Sequence, residues 1–403
     1  MTDVEKENDM RPVPENGGAV FCPHAGKCGG CRYTELSYGE QLVKKREYLR
    51  MLLGKYGEVL PVRGMEEPLH CRNKVIRSFG YENRRPVWGL YAPHTRRITV
   101  VPDCPLEDAG ADRILRTVAK ISQEQHQKPF DMRTGTGALR HAMVRAGKRS
   151  GEYLLVLVTG TPAFPGRNNF VAALCRAHPE ITTIVQNVNS SDTPLVLGQK
   201  GHGKTTGQER ILYGPGYITD TLCGLNFRIS ADSFYQVNTA GAELLYETAI
   251  SLAAFSGEET LLDAYCGIGT IGLSASGSVR RVIGVEKNAA AVRDAVSNAR
   301  ENRIGNARFY TGDAGEFLTE RSDMRPDVVI MDPPRSGADE AFLSALCRAQ
   351  PEKVVYISCG PEALARDLAV LTRTYRVRAI QPVDMFPYTE HVETVVLMSR
   401  VKE

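Results

Sequence analysis

Hydrophobic positions along the 403-residue chain fall into two textures that meet near residue 231. Before it, from about Pro61 to Ile229, short β-type runs alternate with turns, as in Arg97–Val101, Tyr153–Thr159 and Thr182–Gln186. Helical spacing recurs in Ala111–Glu124 and Asn169–Ala177, and Glu40–Leu53 carries Leu42, Tyr48, Leu49 and Leu52 on one side. This mixture predicts a small α+β unit. After residue 231 strands and helices alternate. Val237–Phe255 reads as a long amphipathic helix. Strands follow at Thr260–Tyr265, Arg281–Glu286, Ala307–Thr311, Asp327–Met331, Lys353–Ser358, Arg376–Pro382 and Thr394–Val401, with a helix at Asn288–Arg303. That alternation predicts a doubly wound, mostly parallel sheet that binds ligands at the carboxyl ends of its strands. The expected organisation is a disordered tail over 1–20, an α+β domain over 21–230 and a Rossmann-like domain over 231–403, with a helix at about 37–53 packing on the latter.

Charge sharpens this picture only through its distribution. The net charge is +3, yet residues 61–150 hold 17 Lys and Arg against 9 Asp and Glu, so the remainder is net negative. Arg84-Arg85, Arg96-Arg97 and Lys148-Arg149, with Arg72, Lys74 and Arg77, suit a footprint on a phosphate backbone; the plainer alternative is a solvated basic face. No run of eighteen apolar residues appears and the N-terminus lacks an apolar segment, so neither a membrane span nor a signal peptide is expected. A cytoplasmic monomer is the corresponding expectation.

Ten cysteines in such a chain point to metal or catalysis rather than a disulfide framework. Cys22, Cys28 and Cys31 form a C-x5-C-x2-C cluster in a glycine-rich loop, and Cys104 is the natural fourth ligand. Four thiolates suit a [4Fe–4S] cluster or zinc, and spacing does not separate the two. Gly201–Gly207 resembles a phosphate loop superficially but lacks the G-x4-G-K-[ST] pattern.

Cys359 stands where a strand ends and a helix begins, with Ser358 before it and Gly360-Pro361 after it. A helix N-terminus favours a thiolate over a thiol, so a nucleophile is expected here, against the commoner buried structural cysteine. Asp263-Ala-Tyr-Cys-Gly-Ile-Gly-Thr270 follows the first strand of the second half, and Gly267, Gly269 and Gly272 spell G-x-G-x-x-G. Glu286 ends the next strand, where a carboxylate accepts both hydroxyls of a ribose. Asp263 sits poorly beside a pyrophosphate and well beside a sulfonium, which favours S-adenosylmethionine over a dinucleotide. Asp313, after the third strand, would face the adenine amino group. Asp332-Pro-Pro-Arg335 makes a rigid loop at a strand end, and Arg335 in place of an aromatic argues against N-methylation of a base.

Together these stretches resemble the RNA uracil-C5 methyltransferase family, especially its iron–sulfur-containing 23S rRNA branch. The resemblance runs from about Cys22 to the C-terminus. It rests on the cluster cysteines, Arg72-Asn-Lys74, Gly137–His141, Asn187-Val-Asn189, Ser233–Asn238, Asp332–Arg335, Ser358-Cys359 and His391-Val-Glu393. It implies a class I (Rossmann-like) S-adenosylmethionine methyltransferase domain beside a smaller α+β iron–sulfur and RNA-binding domain. It further implies a [4Fe–4S] cluster on Cys22, Cys28, Cys31 and Cys104, and a cofactor site lined by Gln236, Tyr265, Glu286, Asp313 and Asp332. Cys359 would be the nucleophile and Glu393 the base. Members of the rRNA branch commonly begin with a small β-barrel, which the 21 residues before Cys22 cannot contain, so the T-loop uridine of tRNA is the alternative substrate. A non-catalytic RNA-binding assembly factor and an iron–sulfur redox protein are the alternatives from other classes.

Overall fold

A computed structural model describes residues 22–199, 205–321 and 324–401. The tail expected over 1–20 and residues 201–204 of the phosphate-loop lookalike lie outside them. The first helix, α1 (Tyr38–Leu53), begins at a capping box: the Ser37 hydroxyl accepts from the Glu40 N–H while the Glu40 carboxylate accepts from the Ser37 N–H.

Two large sheets follow among the described residues. The first contains β1 (Lys74–Glu82), β2 (Arg85–Tyr91), β3 (Ile98–Thr99), β4 (Leu139–Ala146), β5 (Tyr153–Thr159), β6 (Ile181–Val188) and β7 (Glu209–Tyr213). Its order is β3-β2-β1-β4-β5-β6-β7, and only β5–β6 is parallel. The helices α2 (Ala109–Glu124) and α3 (Arg167–Ala177) cover one face, where Ile114, Leu115, Phe170 and Leu174 meet Val75, Val144 and Leu155. The strand expected over Arg97–Val101 shrinks to Ile98–Thr99, since β3 finds only Tyr91 and Leu90 to pair with.

The hairpin β8 (Tyr217–Leu222) and β9 (Leu225–Ser230) leads to α4 (Thr239–Ala253) and the second sheet. That sheet is built from β10 (Thr260–Ala264), α5 (Thr270–Ala275), β11 (Arg281–Glu286), α6 (Ala289–Glu301), β12 (Ala307–Thr311), α7 (Ala314–Glu320) and β13 (Val328–Met331). It continues with α8 (Glu340–Ala349), β14 (Lys353–Ser358), α9 (Pro361–Leu371), β15 (Tyr375–Val383) and β16 (Glu393–Arg400). The order is β12-β11-β10-β13-β14-β16-β15, parallel as far as β14 and then antiparallel. This is the Rossmann-like α/β fold that the alternation predicts. Order reverses between β10 and β13, which opens a crevice above their carboxyl ends.

Packing joins the two halves. The other face of the first sheet (Met143, Val156, Val158) shares one core with Phe227 of the hairpin, Leu245 and Tyr246 of α4, and Leu261 and Val355 of the second sheet. On the far face of the second sheet Leu49 and Leu53 of α1 pack with Leu346, Leu364 and Leu368. A buried ion pair, Lys45 Nζ to Asp384 Oδ1 at 2.7 Å, pins α1 to the loop that runs into β16.

Candidate active site

A cavity of about 710 Å³ opens at the carboxyl edge of the second sheet. Tyr265, Gly267 and Glu286 line one side of it, and Asp332, Cys359 and Glu393 another; Gln236, just before α4, closes it. The sequence therefore brings seven of its expected site residues to one place.

The turn after β10 is unusual backbone. Tyr265 has φ +65 and Gly267 φ +54; a tyrosine held in the left-handed region is costly and marks a spot the surrounding structure over-determines. Its ring sits edge-on to Phe342, with centroids 5.3 Å apart. Glu286 then ties the turn: one oxygen accepts from Gly267 N–H at 3.2 Å and the other from Asn288 N–H at 2.7 Å. Gly269 (φ +84) caps α5 from behind the cavity wall and does not line it.

Two carboxylates stand apart from where the sequence reading puts them. Asp263 is fully buried, not in the cavity. One oxygen accepts from Gly272 N–H at 2.8 Å and holds α5, while the other has no hydrogen-bond partner among the described residues. Burial pushes its carboxyl up to about 7. Asp313 caps α7 through Gly315 and Glu316 N–H and pairs with Lys287 at 2.8 Å; Gly312 and Ala314 beside it line the cavity instead. Asp332 does reach the cavity, and burial raises its carboxyl to about 7.

Cys359 and Glu393 meet because β14 and β16 run antiparallel with Ser358 opposite Thr394. The strand end that releases Cys359 thus lies beside the strand start that presents Glu393. Glu393 is 4 % exposed and accepts no hydrogen bond among the described residues. Burial, with Asp332 adding to it, lifts its carboxyl to about 8. The expectation that the helix N-terminus favours a Cys359 thiolate is corrected here. Burial first, and then the negative charges of Glu393 and Asp332, push the thiol up to about 11, and these outweigh the start of α9.

The remaining expectations divide. All ten cysteines are free thiols. Cys31 and Cys104 both pack on Leu106 and Tyr388, and Cys28 and Cys22 are close enough for their charges to help raise the Cys31 thiol, after burial and against Arg72. Among the described residues, however, no three His, Cys, Asp or Glu side chains converge tightly enough to hold a metal ion. The basic footprint is also thinner than the sequence suggests. Arg77 is fully buried against Glu107 and Asp112, at 2.5 and 2.9 Å, and Arg96, Lys148 and Arg149 pair with Asp192, Asp108 and Glu243. No helix among the described residues is long and apolar enough to cross a membrane. Sequence reasoning missed Phe234, 69 % exposed at the cavity rim, and gave Lys74 no place in the site although it lines the same cavity. Both sit in stretches that carry the family resemblance, which was the signal available.

A family model described as tRNA (uracil-5-)-methyltransferase matches residues 203–401. An uncharacterized RNA methyltransferase of Halalkalibacterium halodurans is 37% identical over 94% of this chain and 82% of its own length. One from Bacillus cereus is 38% identical over 95% of this chain and 83% of its own. The chain belongs to the RNA uracil-C5 methyltransferase family. Among solved structures, the tRNA (uracil-54, C5)-methyltransferase of Pyrococcus abyssi, in complex with S-adenosyl-L-homocysteine, matches with a TM-score of 0.76. It is 27% identical, and the match covers 92% of this chain and 86% of that one. The family's methyltransferase chemistry thus stands beside a cavity that pairs a cysteine with a carboxylate.

Proposed function

We propose that the chain methylates carbon 5 of a uridine in 23S rRNA, using S-adenosylmethionine and a covalent bond from Cys359 to carbon 6 of the uracil. The observation that carries this reading is the pairing of Cys359 with Glu393 on one wall of a cavity whose other wall is the Gly267–Glu286 turn. Bound S-adenosylmethionine would supply an electrophilic methyl group. Its fit is supported by the cavity's carboxylates, Glu286 and Asp332, which suit hydroxyls and a cation, and by the homocysteine analogue bound in the Pyrococcus abyssi enzyme. Gln236, Tyr265, Gly267, Glu286 and Asp332 would contact it, with Gly269 and Asp313 shaping the turns behind.

Carbon 5 of uracil is a poor nucleophile until something adds at carbon 6. Cys359 loses its proton to solvent, its sulfur bonds carbon 6, and the electron pair of the 5,6 double bond moves into an enolate. Carbon 5 of that enolate takes the methyl. Glu393 then removes the proton left on carbon 5, the double bond re-forms and the Cys359 thiolate departs. A stacked base cannot enter such a cavity, so the uridine must be flipped out or unpaired. The α+β half, from Cys22 to residue 230, would hold the RNA.

Cys22, Cys28, Cys31 and Cys104 are the proposed thiolate ligands of a [4Fe–4S] cluster: all four are free thiols in the neighbourhood of Cys31, and an all-sulfur donor set suits that group. The cluster would brace the site, because the N–H groups of Arg32 and Tyr33, directly after Cys31, both donate to the Tyr388 carbonyl on the loop leading to Glu393. Protein purified without oxygen should carry about four iron and four sulfide per chain, and Cys31→Ser should lose both. Stoichiometric zinc without sulfide would replace the cluster by a zinc site.

The reading is tested with RNA in which 5-fluorouridine replaces uridine. Fluorine does not leave as a proton does, so the covalent adduct should persist through denaturation. An adduct with 23S rRNA fragments is the expected result. The likeness to an enzyme acting on uracil 54 of tRNA favours a second reading, the T-loop uridine, and trapping on tRNA alone would select it. No adduct on either RNA, from protein that binds S-adenosylmethionine, would leave the assembly-factor reading in its place.

A further inference from the structure

Lys74 opens β1 and lines the cavity that holds Cys359 and Glu393. Its ammonium has no hydrogen-bond or ion-pair partner among the described residues. The neighbour acting on it is another cation, Arg145, which stands opposite it in the β1–β4 ladder. Arg145 is 7 % exposed and gives its hydrogen bonds to two carbonyls, of Ala231 at 3.2 Å and Ser233 at 2.6 Å, leaving Nε without an acceptor among the described residues. Apart from the charge of Asp232, which acts on Arg145, the two adjacent cations are compensated by carbonyl dipoles. Three residues along the same strand, Arg77 is neutralised by two carboxylates. The fold pairs a buried cation where the pairing is purely structural; at Lys74 it does not. A half-buried ammonium with a cationic neighbour carries a desolvation cost that an incoming anion relieves.

Lys74 is also fixed in place. Beside it, Asn73 N–H donates to the Val237 carbonyl at 2.7 Å, and the Asn73 amide donates to the Gln236 carbonyl at 2.9 Å and to Thr239 Oγ1 at 3.1 Å. Those residues lead into α4, which packs on β14, β15 and β16; β14 and β16 present Cys359 and Glu393. Lys74 thus shares one cavity with Cys359 and Glu393, where the negative charge arriving with an RNA nucleotide is a phosphodiester.

We infer that Lys74, backed by Arg145, binds a phosphodiester of the target nucleotide and so seats the flipped uridine against Cys359. The inference rests on the uracil-C5 reading. Lys74→Ala and Lys74→Arg are compared with wild type, measuring affinity for unmodified substrate RNA across a salt series, affinity for S-adenosylmethionine, and adduct yield at saturating fluorinated RNA. Lys74→Ala should bind RNA about 10-fold more weakly, with a log–log salt slope shallower by about one. S-adenosylmethionine affinity should stay at wild-type level, adduct yield should fall along with the seating of the uridine, and Lys74→Arg should recover most RNA affinity. An unchanged salt slope overturns the inference. So does a loss confined to S-adenosylmethionine, which would assign Lys74 to that ligand's carboxylate. If wild type traps no RNA but Lys74→Ala still weakens RNA binding with the shallower slope, the methylation reading fails while the phosphate subsite stands.

Discussion

Cys359→Ala is expected to lower methyl transfer to RNA by at least about 10³-fold and to abolish the adduct with fluorinated RNA, since removing a covalent nucleophile removes the path and not one contact among many. The same variant should fold normally and bind S-adenosylmethionine within about twofold of wild type, because the thiol is half-buried at the end of β14 and supports no core packing. Radiolabelled methyl incorporation, with cofactor affinity measured in parallel, checks both halves. A variant keeping more than about a tenth of the wild-type rate would show that carbon 5 is reached without sulfur addition. Cys359→Ser is the sharper form. Its hydroxyl occupies the same spot but ionises far less readily in a pocket where burial, Glu393 and Asp332 already push the thiol up to about 11. Serine should therefore be as inactive as alanine.

That displaced thiol shows where sequence reading stops. A strand-to-helix junction is legible from Val354–Ile357 and Pro361, and the junction is there. What decides the thiol's protonation is tertiary: an antiparallel β16, distant in sequence from the helix, sets Glu393 beside it. The doubly wound sheet was legible for the opposite reason. Its central strands β10, β13 and β14 are buried on both faces and read as continuous apolar runs, which need no knowledge of their neighbours. Asp263 shows a local rule misapplied. Its position four residues before Gly267 was right for a ligand site, yet its side chain turns inward to Gly272 N–H, because the tight packing of α5 on β10 leaves an unpaired donor to satisfy. Charge is likewise visible in the sequence, but which cations are paired is not: Arg77, Lys148 and Arg149 meet Glu107, Asp108 and Glu243 only in the fold. Lys74 is the converse: the sequence places it among basic residues and in a stretch that carries the resemblance, and only the fold shows that it lines the cavity without a partner among the described residues.

Glu393→Gln should separate the steps that Cys359→Ala stops together. Glutamine keeps the shape of the side chain and removes its basicity, so sulfur addition and methylation of carbon 5 stay open while proton removal does not. With ordinary uridine RNA, the variant should build up a methylated, denaturation-stable protein–RNA adduct, and turnover should fall about 10²–10⁴-fold, the usual worth of a positioned base. Wild type should show no such adduct on the same RNA. The pH profile gives a second readout whose sign follows from burial. Glu393 is held up to about 8 by its buried position and by Asp332, so in the free protein it is largely protonated near neutrality and becomes a base as pH rises. Wild-type kcat/KM should therefore climb between about pH 7 and 9, and the limb belonging to this group should vanish in the glutamine variant. An adduct that fails to accumulate, with turnover lost and cofactor binding intact, would mean that Glu393 also takes the Cys359 proton. Both proton transfers would then run through one carboxylate, and the order of events would be set by which proton it holds first.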